Sequence, residues 1–444
     1  MSLRSLVGTG LVTGALVLPA VTAGPARAQQ GATLPAVDVV KVEGALDRPL
    51  LGYVNARLDD AEARGATVVL ELDSAGGIGD EAIGLADRLV AMRVPVIVWV
   101  GPVPAKASGA GLLLLLASSL PAVAPGSQTG PLDPVDLLHP DQRPPGLDAK
   151  IDAWLAARGR SVTRSHENEA MNAQQALDYG YALKASPSVV QLLDDVDGET
   201  VPTAAGPVVL HTHVATSDAD AQAGRGVTVT FGEPGPVKRV EHAVASPSMI
   251  YFLLVFGLSC LAFELTQPGF GFAGFAGLFL LALAAYGISV VPPTWYGLLV
   301  FLAGLGALSL DVRLRRFGPL TWAGTAVFAV GSFLLYGQVA DAIRISPWLI
   351  AGATIGVFLF FGFGMTVAMA SRDRIVQTQR GLIGLVGEAR GKMAPDGPVF
   401  VKGALWRGRS LGEPIPSGAK VRVRGVEGLV LKVEEEPEAL APNG

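Results

Sequence analysis

The chain has 444 residues, of which 50% are hydrophobic and only 16% charged, with a net charge of −5 and one cysteine. That length exceeds a single core and suits two or three domains, and a charge content below the quarter usual in soluble proteins points part of the chain into lipid. The acidic balance gives no reason to expect nucleic acid as a partner, and the lone Cys260, set in an apolar run, excludes an intramolecular disulfide framework and a cysteine-built zinc site.

Residues 1–28 carry the three parts of a secretory signal: Arg4, the uncharged apolar stretch from Leu6 to Val21, and Ala26-Arg27-Ala28 as a small-x-small cleavage site. The alternative is an uncleaved anchor helix. Strand and helix patterns then alternate. "AVDVVKVEG" (36–44) reads as a strand, "PLLGYVNARLDDAEARG" (49–65) as a helix and "ATVVLELDS" (66–74) as a buried strand. "GDEAIGLADRLVAM" (79–92) reads as an amphipathic helix, "VPVIVWVG" (94–101) as a strand, and the leucine run after Ser108 as a helix. Such alternation predicts an α/β domain with parallel pairing.

Chemistry in such a domain belongs at the carboxyl ends of the strands. The strand 66–74 runs into Asp73-Ser74-Ala75-Gly76-Gly77, where two glycines let the backbone turn and let N–H groups approach an oxyanion. The strand 94–101 leads to Ser108 at the mouth of a helix. His211 and His213 alternate in "VVLHTHVAT" and would share one face of a strand, without a third metal ligand. His139, His166 and His242 stand isolated among polar residues and read as surface; no metal or cofactor is expected.

From Pro247 to Ala370 the chain turns apolar. Five spans are read, at about 248–266, 272–291, 295–311, 319–337 and 347–370, each near the ~20 residues a crossing needs. The third is short and only Pro292-Pro293 divides it from the second, so four crossings and five both stay open. With residues 29–246 exported, an odd count puts Arg313, Arg315 and Arg316, and later Arg372 and Arg374, on the cytoplasmic side. In "FELTQPGFGFAGFAG" (263–277), Glu264 reads either as an interfacial carboxylate or as part of a hinge or subunit contact. The tail 371–444 becomes β-patterned, and its short alternating strands joined by glycine turns predict a small barrel. Trp406 with Arg407 and Arg409 is too little aromatic surface for a nucleic-acid groove, which favours a protein partner.

The segments "VVLELDSAGG", "VPVIVWVGPVPAKASGAG" and "AVAPGSQTG", followed by "ARGRS", "NAQQALDYGYA" and "LLDDVDGETV", resemble the exported protease domain of the long NfeD family, membrane-bound serine proteases of the ClpP class. The resemblance implies a ClpP/crotonase-type stack of β-β-α units at 29–246, a transmembrane bundle of about five helices at 247–370, and a cytoplasmic OB-fold at 371–444. It implies a bacterial plasma-membrane protein whose barrel pairs with a stomatin-like (SPFH) protein; a homo-oligomer stays open. The implied site is a Ser/Lys dyad, Ser108 and Lys150, with Gly76 and Gly77 donating to the oxyanion.

Two departures stand beside that match. The family reads alanine-serine-alanine-glycine where this chain reads Ala107-Ser108-Gly109-Ala110-Gly111. Counted back without a gap from Ala124-Pro125-Gly126, Gly109 takes the serine position and Ser108 falls one residue early, a rotation of ~100° on a helix. The family's lysine falls nearer Gln142 or Arg143, and arginine cannot serve as a base. Two functions are therefore carried forward: a serine endopeptidase cleaving hydrophobic segments of membrane proteins, and a catalytically degenerate scaffold for stomatin-like partners.

Overall fold

The computed structural model describes residues 36–214, 226–265, 271–314, 318–365, 367 and 381–436. The signal segment 1–28 and Arg315, Arg316, Arg372 and Arg374 lie outside the described residues.

The N-terminal lobe follows the strand–helix alternation of its sequence. In order it comprises β1 (Ala36–Glu43), α1 (Arg48–Arg64), β2 (Thr67–Asp73), α2 (Glu81–Ala91), β3 (Val96–Val100), β4 (Lys106–Ala107) and α3 (Ala110–Ala117). There follow β5 (Leu120–Val123), β6 (Gln128–Thr129), α4 (Leu147–Ala157), β7 (Met171–Asn172), α5 (Ala173–Asp178), β8 (Lys184–Ala185) and α6 (Val189–Asp195). The hairpin β9 (Thr200–Thr203) and β10 (Gly206–Val209) and the strand β11 (Thr228–Gly232) complete it. Six strands form one parallel sheet in the order β11-β1-β2-β3-β5-β8, and β4, β6 and β7 form a second, small sheet. A long strand, a short strand and then a helix is the β-β-α repeat of the ClpP/crotonase type.

Side chains alternate across the large sheet. Val40, Val42, Leu70 and Val98 bury into one core with α1–α4, while Val37, Val39, Val69 and Ile97 bury into another with α6. Local signals set the helix ends. Asp47 caps α1 by accepting the Leu50 amide at 2.9 Å, and Gly65, at φ 68°, closes it in the left-handed region that glycine adopts without strain. All eight residues of α3 are buried. It is the lobe's central helix, and each of its five leucines contributes about 2 kcal/mol by burial.

The lobe passes through α7 (Pro236–Val244) into the apolar helices α8 (Pro247–Glu264), α9 (Phe272–Val290), α10 (Trp295–Arg313), α11 (Pro319–Leu335) and α12 (Pro347–Leu359); the last continues as a π-helical turn over Phe360–Met365. Four of these are long and apolar enough to cross a membrane, and α11, with 17 residues and a length of about 26 Å, is one residue shorter than the shortest of them. Glycines bring the helices together in pairs. A Cβ on Gly277 of α9 would meet Gly257 O of α8 at 2.9 Å, and one on Gly304 of α10 or Gly331 of α11 would strike the backbone of the other helix. Glu264 accepts the amides of Gly271 and Gly274, so it caps the first turn of α9 and closes the α8–α9 connection.

The C-terminal domain is a closed barrel of β12 (Val386–Ala389), β13 (Asp396–Val401), β14 (Ala404–Ser410), β15 (Lys420–Glu427) and β16 (Val430–Glu435), in the order β12-β13-β14-β16-β15. Only the β14–β16 pairing is parallel. That is an OB-type barrel, filled by Val399, Val401, Val421, Val423, Leu431 and Val433.

Candidate functional site

Two strand ends build the floor of the site. Beyond β2, Ser74 pairs with Ala107: the Ser74 amide donates to Lys106 O at 2.7 Å and the Ser108 amide to Ser74 O at 3.0 Å. The helix α3 then starts hard against the glycine loop. A Cβ on Gly77 would lie 2.8 Å from the Ala110 Cβ, and one on Gly111 would lie 3.3 Å from Ser74 O. The small residues of "ASGAG" are therefore what this close approach requires.

The turn from β4 into α3 is made by Gly109, at φ 54° and ψ −126°, a backbone conformation that side chains rarely adopt. A sharp strand-to-helix turn of this kind is where a nucleophile elbow presents its side chain. Here that place is held by a residue without one. A Cβ built on Gly109 would fall inside contact distance of Pro134 O and 3.1 Å from the Gly76 Cα.

The expected site residues are distributed as follows. Ser108 is half-buried, and its hydroxyl donates to Gly130 O at 2.8 Å. Lys150 lies on α4, with its Nζ 2.6 Å from Asp87 Oδ2 of α2, a carboxylate that also accepts from Trp154 Nε1. Among the described residues Ser108 and Lys150 share no hydrogen bond, and Lys150 does not line the cavity that Ser108 borders. Near the family's lysine position, Arg143 sits among Asp133 (2.8 Å), Asp148 (2.6 Å) and Glu167 (2.9 Å). Burial works against its charge, but hydrogen bonds to Asp148 and Glu167 and the charge of Asp133 outweigh it and raise its pKa. The hydrogen bond from Arg143, with a second from Arg164, holds the Asp148 carboxyl below its ordinary range against the opposing effect of burial.

The amides proposed for the oxyanion are already engaged. Gly76 N–H donates to Ser74 Oγ at 3.3 Å and Gly77 N–H to Val135 O at 3.2 Å. Residues 131–138 lie over the site: the Gly109 amide donates to Pro131 O at 2.8 Å, the Leu137 amide to Gly77 O at 2.8 Å, and the Leu137 side chain covers Gly76. Beside this segment is a cavity of about 800 Å³, bounded by Lys106, Ser108 and His139 on the lobe and by residues 337–344 of the membrane domain.

The histidine readings need correction in part: His139 is exposed, as read, but the histidines are not isolated. His139 pairs with Asp136 at 2.8 Å on the rim of that cavity, an i,i+3 pair. His242 is not isolated: its Nδ1 lies 2.6 Å from Asp47, the cap of α1, and that hydrogen bond raises its pKa. His166 stacks on Tyr179 with centroids 4.1 Å apart. His211 and His213 follow β10, which ends at Val209, and so share no strand face; His213 lies 3.2 Å from Asp194. Among the described residues no three His, Cys, Asp or Glu side chains are grouped to hold a metal. The covering segment and the Asp136–His139 pair had no motif to announce them, although Pro131 and Pro134 mark a stretch that cannot be an interior strand.

Comparison with known proteins follows this layout. Residues 248–366 match the family model described as the NfeD integral membrane domain, and residues 379–435 match the NfeD-like C-terminal, partner-binding domain. The membrane-bound protease PH1510 of Pyrococcus horikoshii is 27% identical over 408 residues, covering 86% of this chain and 88% of that protein. The membrane protein NfeD1b of Bacillus subtilis is 23% identical over 439 residues, covering 90% and 92%. Among solved structures, a lysine-to-alanine variant of the 1510-N membrane-bound stomatin-specific protease with a substrate peptide is 24% identical, covering 46% of this chain and 95% of its own, with a TM-score of 0.40. The C-terminal domain of the stomatin operon partner protein 1510-C of Pyrococcus horikoshii is 38% identical over 14% of this chain and 95% of its own, with a TM-score of 0.13.

Proposed function

We propose that this chain, whose membrane and C-terminal regions match NfeD models and which is similar along most of its length to membrane-bound relatives of that kind, is a long-form NfeD protein whose protease-like lobe holds peptide without cutting it, as part of a membrane scaffold whose barrel engages a stomatin-like partner. One observation carries the reading: Gly109 stands at the elbow where a nucleophile belongs. Three others support it. The Ser108 hydroxyl is spent on Gly130 O, Lys150 is paired with Asp87, and both glycine amides have internal acceptors. A serine acts as nucleophile only when a base lies within hydrogen-bond reach, and an oxyanion hole needs free donors. In this reading the lobe faces the cell exterior and the barrel the cytoplasm, on five crossings. The partner is inferred from the match to a partner-binding domain and from a relative named as a stomatin-specific protease.

The relative named as a membrane-bound protease favours a second reading, an endopeptidase in which Ser108 attacks a hydrophobic segment and Lys150 takes its proton. A fluorophosphonate probe on the detergent-solubilised full chain separates the two. The scaffold reading expects no label, together with capture of a stomatin-like protein that is lost when residues 381–436 are removed. Label that disappears in Ser108→Ala, with peptide cleavage lost in Lys150→Ala, establishes the endopeptidase instead.

A further inference from the structure

We propose that the membrane domain locks the lobe's peptide-binding edge. Residues 134–138 occupy that edge as an extended segment joined to it by a single parallel bridge, and the α11–α12 loop holds them there. The edge is the stretch Gly76-Gly77-Ile78. On one side it is laddered to Leu46, with the Leu46 amide donating to Gly76 O at 3.0 Å and the Ile78 amide to Leu46 O at 3.1 Å. On the other, both backbone groups of Gly77 are taken by the covering segment, whose Asp136 pairs with Gly77 in parallel. The Gly77 amide donates to Val135 O at 3.2 Å and Gly77 O accepts from Leu137 N at 2.8 Å. An extended peptide adding to this edge would need the same donor and acceptor. Segment and peptide therefore exclude each other.

The covering segment is held from two directions. Within the lobe, Asp136 Oδ1 accepts from Gly79 N and Leu138 N, both at 3.0 Å. From the membrane side, the Ala340 amide donates to Leu137 O at 2.8 Å, and Leu138 packs into the same apolar cluster as Tyr336, Val339 and Ile345. Ile78, which ends the edge, is buried in that cluster too. The loop from 336 to 346 thus holds the occupant directly and shares one apolar cluster with the edge. A movement of the membrane helices that withdrew the loop would remove the hydrogen bond on Leu137 and the apolar seat of Leu138 together. The lock itself does not depend on whether the lobe cuts; its consequence, an edge that receives peptide, rests on the peptide-holding function proposed above.

The test is amide hydrogen exchange on the full chain in detergent. Ala340→Pro removes the donor to Leu137 O, whereas Ala340→Gly keeps it. Exchange at Gly77 and Leu137 should quicken roughly ten-fold in the proline variant and not in the glycine variant, while the amides of β1–β3 stay slow. Leu138→Ser, which weakens the apolar seat and leaves every backbone donor in place, should act in the same direction even if the proline variant folds poorly. A fluorescein-labelled hexapeptide of alternating valine and serine should bind the opened variants more tightly by the same factor, because apparent affinity scales with the open fraction. Unchanged exchange at Gly77 in both Ala340→Pro and Leu138→Ser overturns the lock, as does acceleration shared with β1–β3. Faster exchange without tighter peptide binding overturns the assignment of the edge. Cleavage of the hexapeptide would instead refute the non-cutting function and leave the lock standing.

Discussion

Restoring a serine at the elbow is the sharpest perturbation of the site. In Gly109→Ser, a residue with a Cβ must adopt φ 54°, ψ −126°, and that Cβ must enter the space of Pro134 O and lie 3.1 Å from the Gly76 Cα. A side chain in a backbone region reserved for glycine costs about 1–3 kcal/mol. Forcing an atom against packed backbone costs about 1–3 kcal/mol more. Together the lobe should lose roughly 2–6 kcal/mol, which for a unit of this size lowers the melting temperature by roughly 4–24 °C. Gly109→Ala should fall close to Gly109→Ser, since the Cβ causes the damage and not the hydroxyl. The assay is thermal unfolding of the full chain in detergent, followed by the fluorescence of the buried Trp99 and Trp154, alongside fluorophosphonate labelling. A serine variant that melts with the wild type, or that takes up the probe, would refute the argument that residues 131–138 have filled the catalytic position.

Arg158 donates to Leu89 O (2.6 Å), Pro202 O (2.8 Å) and Ala117 O (3.0 Å), and burial pushes its guanidinium down to about 10; Arg158→Met should cost about 2–4 kcal/mol in denaturant unfolding, three carbonyls losing their donor against the relief of a buried charge. His242 has its pKa raised above 6.5 by the hydrogen bond to Asp47, with Glu43 adding to the effect and burial opposing it. Its contribution is therefore complete below 6.5 and lost as pH rises through the folded value, so the melting difference between wild type and His242→Gln should be largest in acid and shrink as the medium turns alkaline. In the bundle, Gly331→Leu would drive a side chain into the Phe301 backbone, whereas a Cβ on Gly306 meets nothing within 4 Å; detergent melting should fall steeply for Gly331→Leu and stay put for Gly306→Leu.

The lobe was readable because its signals are local. The β-branched runs at 36–44 and 94–101 are mostly apolar and buried on both sheet faces, and both became parallel strands. Asp47, Pro49 and Gly65 punctuate α1 within a few residues of its ends. The barrel could be read for the same reason, since its strands alternate and its turns carry glycine. Contacts made across long stretches of chain could not be read. His242 looked like a surface residue because Asp47, which holds it, lies 195 positions away. Asp136 closes on Gly79 from 57 positions away, through side-chain geometry that no spacing rule encodes.

The proposed site rests in part on the residue count from Ala124-Pro125-Gly126 back to Gly109, the residue that makes the turn into α3, and the weight of that count comes from how rigid the intervening chain is. The helix α3 is fully buried and β5 is a central strand, so neither can absorb an extra residue without turning leucines toward polar ground. The offset therefore has to appear at the elbow itself, where glycine alone tolerates the turn. With no side chain at that point, nothing holds residues 131–138 away from the floor, and the Pro134 carbonyl comes in. On the non-cutting function proposed above, a side chain at the elbow and the covering segment compete for one volume, since a Cβ on Gly109 would enter the space of Pro134 O. Burial also accounts for the glycine amides, which need acceptors from within the chain. Ser74 Oγ and Val135 O supply those acceptors.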